Sequence, residues 1–109
     1  MRIIMILSDY AKYLQEHNEE LMMQKTTPIE LLHKWLYQVI NKNPKNNIEK
    51  IIHKEILYAQ NNSGEYVIIG KSTSGRKLVT SLINFAKSYD NYNHAKWIEI
   101  AEKNFHAKN

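Results

Sequence analysis

Gly64-Glu65-Tyr66-Val67-Ile68-Ile69-Gly70-Lys71-Ser72 is the stretch that comes closest to a chemical motif, because a phosphate-binding loop also joins a glycine to Gly-Lys-Ser. That motif places four residues between its first glycine and Gly-Lys-Ser, and here there are five. Four of the intervening residues, Tyr66 to Ile69, read as a hydrophobic strand, whereas a phosphate cradle needs a pliant loop with free amides. A strand end followed by a polar turn that caps a helix accounts for the same letters.

The five histidines, His17, His33, His53, His94 and His106, include no His pair four apart with an intervening Glu. His53-Lys54-Glu55 is the nearest approach to a His-x-Glu element, and no Cys pair follows it because the chain has no cysteine. No Gly-x-Ser-x-Gly elbow is present, and Glu16, Glu19 and Glu20 read as a solvated helix face. The expectation is therefore a non-enzyme with no metal and no cofactor.

What remains is cationic. Residues 1–33 sum to −2 and residues 34–109 to +6, giving the net +4 of the whole chain. Lys34, Lys42, Lys45, Lys50 and Lys54 form one cluster, opposed by Glu49. Lys71, Arg76, Lys77 and Lys87 form a second with no acid among them. Lysines and arginines grouped in this way suit phosphate oxygens, so the chemistry to expect is nucleic-acid binding, with DNA favoured. The candidate contact residues are Lys42, Lys45, Lys50, Lys54, Lys71, Arg76 and Lys77.

The elements that must position them follow from periodicity and caps. Ile3 to Leu7 reads as a short buried strand or the start of a helix, and residues 8–23 as a helix capped by Ser8, with Tyr10, Tyr13, Leu14, His17 and Leu21 on one side. Thr27-Pro28-Ile29-Glu30 is a capping box with proline at the first helical position. It opens a helix with Leu32, Trp35, Leu36, Val39 and Ile40 as its apolar stripe, ending near Lys42 ahead of Pro44. A third helix starts at Asn46 or Asn47, with Glu49 placed to box with Asn46, buries Ile48, Ile51, Ile52, Ile56 and Ala59, and stops in Asn61-Asn62-Ser63-Gly64. Tyr66 to Ile69 reads as a buried strand, 76–89 as a helix, 90–93 as a turn, and the segment from Asn93 through Trp97, Ile98, Ala101 and Phe105 as a final amphipathic helix.

The predicted fold is a mainly α single domain over 1–109. It is a bundle of about five helices with one short strand or small hairpin, and it can be drawn as a winged helix-turn-helix. In that drawing Lys50, Lys54, Tyr58 and Asn61 line the outward stripe of the reading helix, while Lys71, Arg76 and Lys77 sit on a wing around Ser72-Thr73-Ser74-Gly75 and meet phosphates. Three features count against it: the helices are long for the motif, Glu49 and Glu55 lie close to the stripe, and the residues after Gly75 have helical periodicity.

A second function class is a small inhibitor, immunity or anti-defence protein that acts on a larger protein. Its contact surface would be the aromatic turn of Tyr89, Tyr92 and Trp97. A homodimer is compatible with either class. The absence of cysteine suits a reducing cytoplasm, and no stretch approaches the ~20 apolar residues of a membrane helix. The 14 Ile, 13 Lys, 12 Asn and 7 Tyr have AT-rich codons, which points to a bacterial, phage or plasmid source.

Overall fold

The computed structural model describes residues 3–89. Its elements are α1 (Ile3–Glu16), α2 (Asn18–Met22), α3 (Pro28–Ile40), α4 (Asn47–Glu55), β1 (Ile56–Gln60), β2 (Tyr66–Gly70) and α5 (Thr73–Ser88). The described residues are thus mainly helical, with one two-stranded antiparallel sheet. None of their helices is long and apolar enough to cross a membrane. The expected final helix, with Tyr92 and Trp97, lies outside the described residues.

Ile3 to Leu7 starts α1, so Ser8 lies inside the helix and caps nothing. The reason is visible in the stripe, since Ile3, Ile6, Leu7, Tyr10, Ala11 and Leu14 recur at helical spacing without interruption. The helix breaks at His17, whose Nδ1 lies 2.9 Å from the Tyr13 carbonyl, and a separate five-residue α2 follows. Residues 8–23 are therefore parts of two helices.

The N-cap half of each expected capping box forms, while the reciprocal bond from the glutamate to the N-cap amide does not. Thr27 Oγ1 accepts from the Glu30 amide at 3.2 Å, and Asn46 Oδ1 from the Glu49 amide at 2.9 Å. The glutamates reach back one residue further than a simple box requires: Glu30 accepts from the Thr26 hydroxyl, and Glu49 from the Lys45 amide.

α4 stops at Glu55, and the chain enters β1 at Ile56 with no intervening residue. The expected continuation of this helix to Asn61 is incorrect. Residues 56–60 instead pair with 66–70 in the register Ile56↔Gly70, Tyr58↔Ile68 and Gln60↔Tyr66. The pairing satisfies the β-rich Tyr66-Val67-Ile68-Ile69 segment, which would otherwise leave both of its edges without a partner. Asn61 builds the tip, its side-chain oxygen accepting from the Ser63 and Glu65 amides, and Gly64 takes φ +83°. β2 is not buried as expected: Tyr66 and Ile69 are exposed.

α3 lies at the centre and touches α1, α4, α5 and β1. Tyr10, Leu14, Leu31, Leu32, Leu36, Ile52, Ile56, Leu78 and Leu82 form a continuous core from five elements. The Tyr10 hydroxyl donates to the Pro28 carbonyl, and its ring meets Trp35 and Phe85 at centroid distances of 5.5 and 5.8 Å. Backbone approach joins the hairpin to α5. A Cβ on Gly70 would stand 2.3 Å from the Arg76 amide nitrogen, and one on Gly75 would stand 2.3 Å from the Glu55 carbonyl oxygen.

α3 and α4 are followed by a hairpin and then a helix. The hairpin in that order is β1–β2. Ser72 to Gly75 is the N-terminus of α5, with Ser72 accepting from the Gly75 amide at 3.1 Å, and no strand follows it there.

Candidate nucleic-acid interface

The outward side of α4 is set by what its inward side must bury. Ile52 is fully buried and Ile48 and Ile51 are partly so, which leaves Asn47, Lys50 and Lys54 exposed. Spacings of three and four residues place these three on one face. His53 is turned into the helix pair, where its Nε2 lies 2.7 Å from the Val39 carbonyl of α3. Tyr58 and Asn61, expected on the same stripe, stand on β1 and at the hairpin tip, because the helix ends before them.

The two carboxylates that opposed this interface in the sequence are both held by other groups. Glu49 receives the Lys45 amide at 2.8 Å and the Lys42 ammonium at 2.9 Å, and these contacts hold its carboxyl below the ordinary glutamate range, the Lys45 amide contributing most. Glu55 turns toward α5, where the Ser72 and Ser74 hydroxyls donate to Oε2 at 2.7 and 2.9 Å. The Ser72 bond and then the Ser74 bond lower its pKa. Each acid therefore serves a turn or a helix junction, and their contacts order the ends of α4.

The lysines divide accordingly. Lys42 is exposed, with its charge matched by Glu49. The Lys45, Lys50 and Lys54 side chains are exposed along the turn and the helix. Lys71 follows β2 directly, and its ammonium donates to the His53 carbonyl at 3.0 Å, in the last turn of α4. That bond complements the negative end of the helix dipole and sets a residue of the second basic cluster beside the end of the first.

Arg76 and Lys77 belong to the opening turns of α5, not to a wing. They border an open groove of about 470 Å³ with Ile3, Thr73, Thr80 and Ser81, and the Arg76 guanidinium donates to the Thr73 hydroxyl at 3.1 Å.

Of the aromatic surface expected at Tyr89, Tyr92 and Trp97, Tyr89 alone falls within the described residues. Tyr89 packs against the core, 6.4 Å from Phe85, and the other two residues lie outside the described range. An aromatic cluster with two exposed members, Tyr37 and Tyr66, around the half-buried Tyr58 does exist elsewhere. Among the described residues no group of three His, Cys, Asp or Glu side chains is placed to hold a metal ion.

Neither family models, curated proteins nor solved structures give a match to this chain. Function therefore has to be read from the site.

Two functional candidates escape a reading of the sequence alone. Asn47 reads in the sequence as a helix start alone, although it precedes Lys50 by three positions and Lys54 by seven, which is one helical face. The tyrosine cluster depends on a strand register that periodicity does not give.

Proposed function

We infer that the protein is a small DNA-binding accessory or regulatory protein that presents α4 to the major groove. The observation that carries this reading is the exposed Asn47-Lys50-Lys54 face of α4, with Glu49 and Glu55 both bonded to other groups. A helix with its side chains is ~10–12 Å across, a width that the ~12 Å major groove admits. An Asn amide suits an adenine edge, and lysines suit guanine acceptors or phosphates. Lys45 and Lys71 at the two ends of the helix fit the flanking phosphates, which fix register without reading sequence. The hairpin tip carries exposed Asn62 and Ser63, polar groups of the kind that meet sugar and phosphate oxygens in an adjacent groove. The task is binding, with no bond-making step, metal or cofactor required. An AT-rich genome of a bacterium, phage or plasmid suits a regulator of this size.

The test is a titration of the full chain against labelled mixed-sequence duplex at about 50 and 200 mM salt, with Lys50→Glu/Lys54→Glu alongside. Binding that weakens steeply with salt and is lost in the variant supports the reading. Binding that the variant leaves unchanged overturns it, and absence of binding at both salts turns the search to a protein partner.

A further inference from the structure

Three tyrosines from three elements meet where the hairpin lies against α3. Register puts Tyr58 and Tyr66 on the same face of the two strands, since Tyr58 opposes Ile68 and Tyr66 opposes Gln60, a diagonal pair within reach of aromatic side chains. Their rings stack at 5.3 Å and 11°. Tyr37 of α3 stands nearly perpendicular to both, at 6.0 Å and 71° from Tyr58 and 6.2 Å and 73° from Tyr66. His33 fixes the inner ring, its Nδ1 lying 3.1 Å from the Tyr58 hydroxyl. The result is a corner built of ring faces and edges, bordering a groove of about 270 Å³ lined by His33, Lys34, Tyr37, Gln38, Tyr58 and Tyr66.

Three properties of this groove define what it fits. Tyr37 and Tyr66 remain 49% and 50% exposed, so the cluster keeps open ring surface beyond what holds the hairpin to α3. The fixed charge among the lining residues is the exposed Lys34, and no carboxylate lines the groove, which disfavours a cation over the rings and favours an anionic ligand. The volume lies just under the ~300 Å³ lower end of ordinary ligand sites, suited to one planar group and not to a long peptide. Gln38 adds an amide able to donate and accept at the edge of such a group.

We propose that the Tyr37–Tyr58–Tyr66 groove stacks one unpaired nucleobase of a single-stranded nucleic acid, with the adjoining phosphate on Lys34. Aromatic platforms beside cationic side chains are how proteins hold unstacked bases without reading sequence. This site lies on α3 and the hairpin, uses none of the α4 lysines, and extends the binding surface to a substrate form that the duplex-reading helix does not address.

The experiment compares a thymidine oligonucleotide with an abasic oligonucleotide of the same length, so that phosphates are equal and only bases differ. Fluorescence anisotropy is read for the full chain, for Tyr37→Ala/Tyr66→Ala and for Tyr37→Phe/Tyr66→Phe. The expected result is that the alanine pair binds thymidine about 5- to 150-fold more weakly, the range that loss of a stacking ring gives, and binds the abasic strand as before. The phenylalanine pair, which keeps the rings, binds like the parent. Equal losses on both strands, no loss on either, or no binding of single strands by the parent each overturn the proposal. So does tyrosine-dependent binding of a proline-rich peptide in place of the oligonucleotide. Lys50→Glu/Lys54→Glu is carried in parallel: it weakens duplex binding and leaves the thymidine-to-abasic ratio intact, so failure of the helix reading and failure of the groove are told apart.

Discussion

Replacing Lys50 and Lys54 with alanine removes two exposed cations from the outer face of α4 and leaves Ile48, Ile51 and Ile52 in place. The effect on duplex binding can be worked from the charges that the structure leaves without a carboxylate partner around this helix. Lys45, Lys50, Lys54 and Lys71 are exposed at its ends and along its face, while Lys42 is matched by Glu49. With four phosphates neutralised and ~0.9 counterions released for each, log K falls against log salt with a slope of about −3.6. Raising salt from about 50 to 200 mM then weakens the parent about 150-fold and the double variant, with a slope of about −1.8, only about 12-fold. Anisotropy titrations against one duplex at several salt concentrations give both slopes. Circular dichroism checks that the variant is folded, as exposed lysine-to-alanine changes on a helix should permit. A slope that stays near the parent value in the double variant would refute the assignment of α4 to the phosphates, whatever happens to affinity at a single salt.

Three further outcomes follow from the same geometry. Glu49→Gln keeps an oxygen for the Lys45 amide but releases the Lys42 ammonium, so duplex binding tightens and the slope steepens by about 0.9, measured in the same titration. Gly75→Ala drives a methyl group to within 2.3 Å of the Glu55 carbonyl oxygen, a backbone collision costing about 1–3 kcal/mol that lowers Tm on the order of 10 °C in a thermal melt. Glu55 has a lowered pKa, so its bonds to Ser72 and Ser74 contribute stability that is present above the ordinary glutamate value of about 4.3 and is lost as pH falls through the folded value. Melting temperatures across this acid range should therefore fall less steeply in Glu55→Gln than in the parent. Asp9 works in the opposite direction in both proteins, because burial raises its pKa.

What could be read from the chain, and what could not, divides by the range of the interaction concerned. Thr27 and Asn46 cap helices through bonds to residues three positions away, so their roles are written in adjacent letters. Ser72 is the same case for α5. Ser8 looked equally suitable, yet an apolar stripe beginning at Ile3 carried the helix past it. β1 was hidden because Ile48, Ile51, Ile52 and Ile56 keep helical spacing through the point where the helix ends. Short apolar runs do not distinguish helix from strand, and it was pairing with Tyr66–Gly70 that decided. The basic character of the site was legible from composition, but its shape was not. That Glu49 belongs to Lys42, that Glu55 belongs to α5, and that Lys71 returns to the end of α4 are facts of tertiary contact. The tyrosine groove needed both the strand register and the placement of α3 against it.

The direct passage from Glu55 of α4 to Ile56 of β1 has a consequence for how this chain can vary over evolution. One residue added at that junction would turn the helix by about 100° relative to the strand and exchange the two faces of β1, turning Ile56 out of the core and Leu57 toward it. The helix face and the hairpin face are therefore locked in phase by chain length, and natural insertions and deletions should be purged there. The hairpin tip from Asn61 to Glu65 has no such constraint, since its residues are exposed and bonded mainly to one another. Length differences among descendants of this sequence should collect at that tip, giving hairpins of varying reach on an unvarying helix–strand joint.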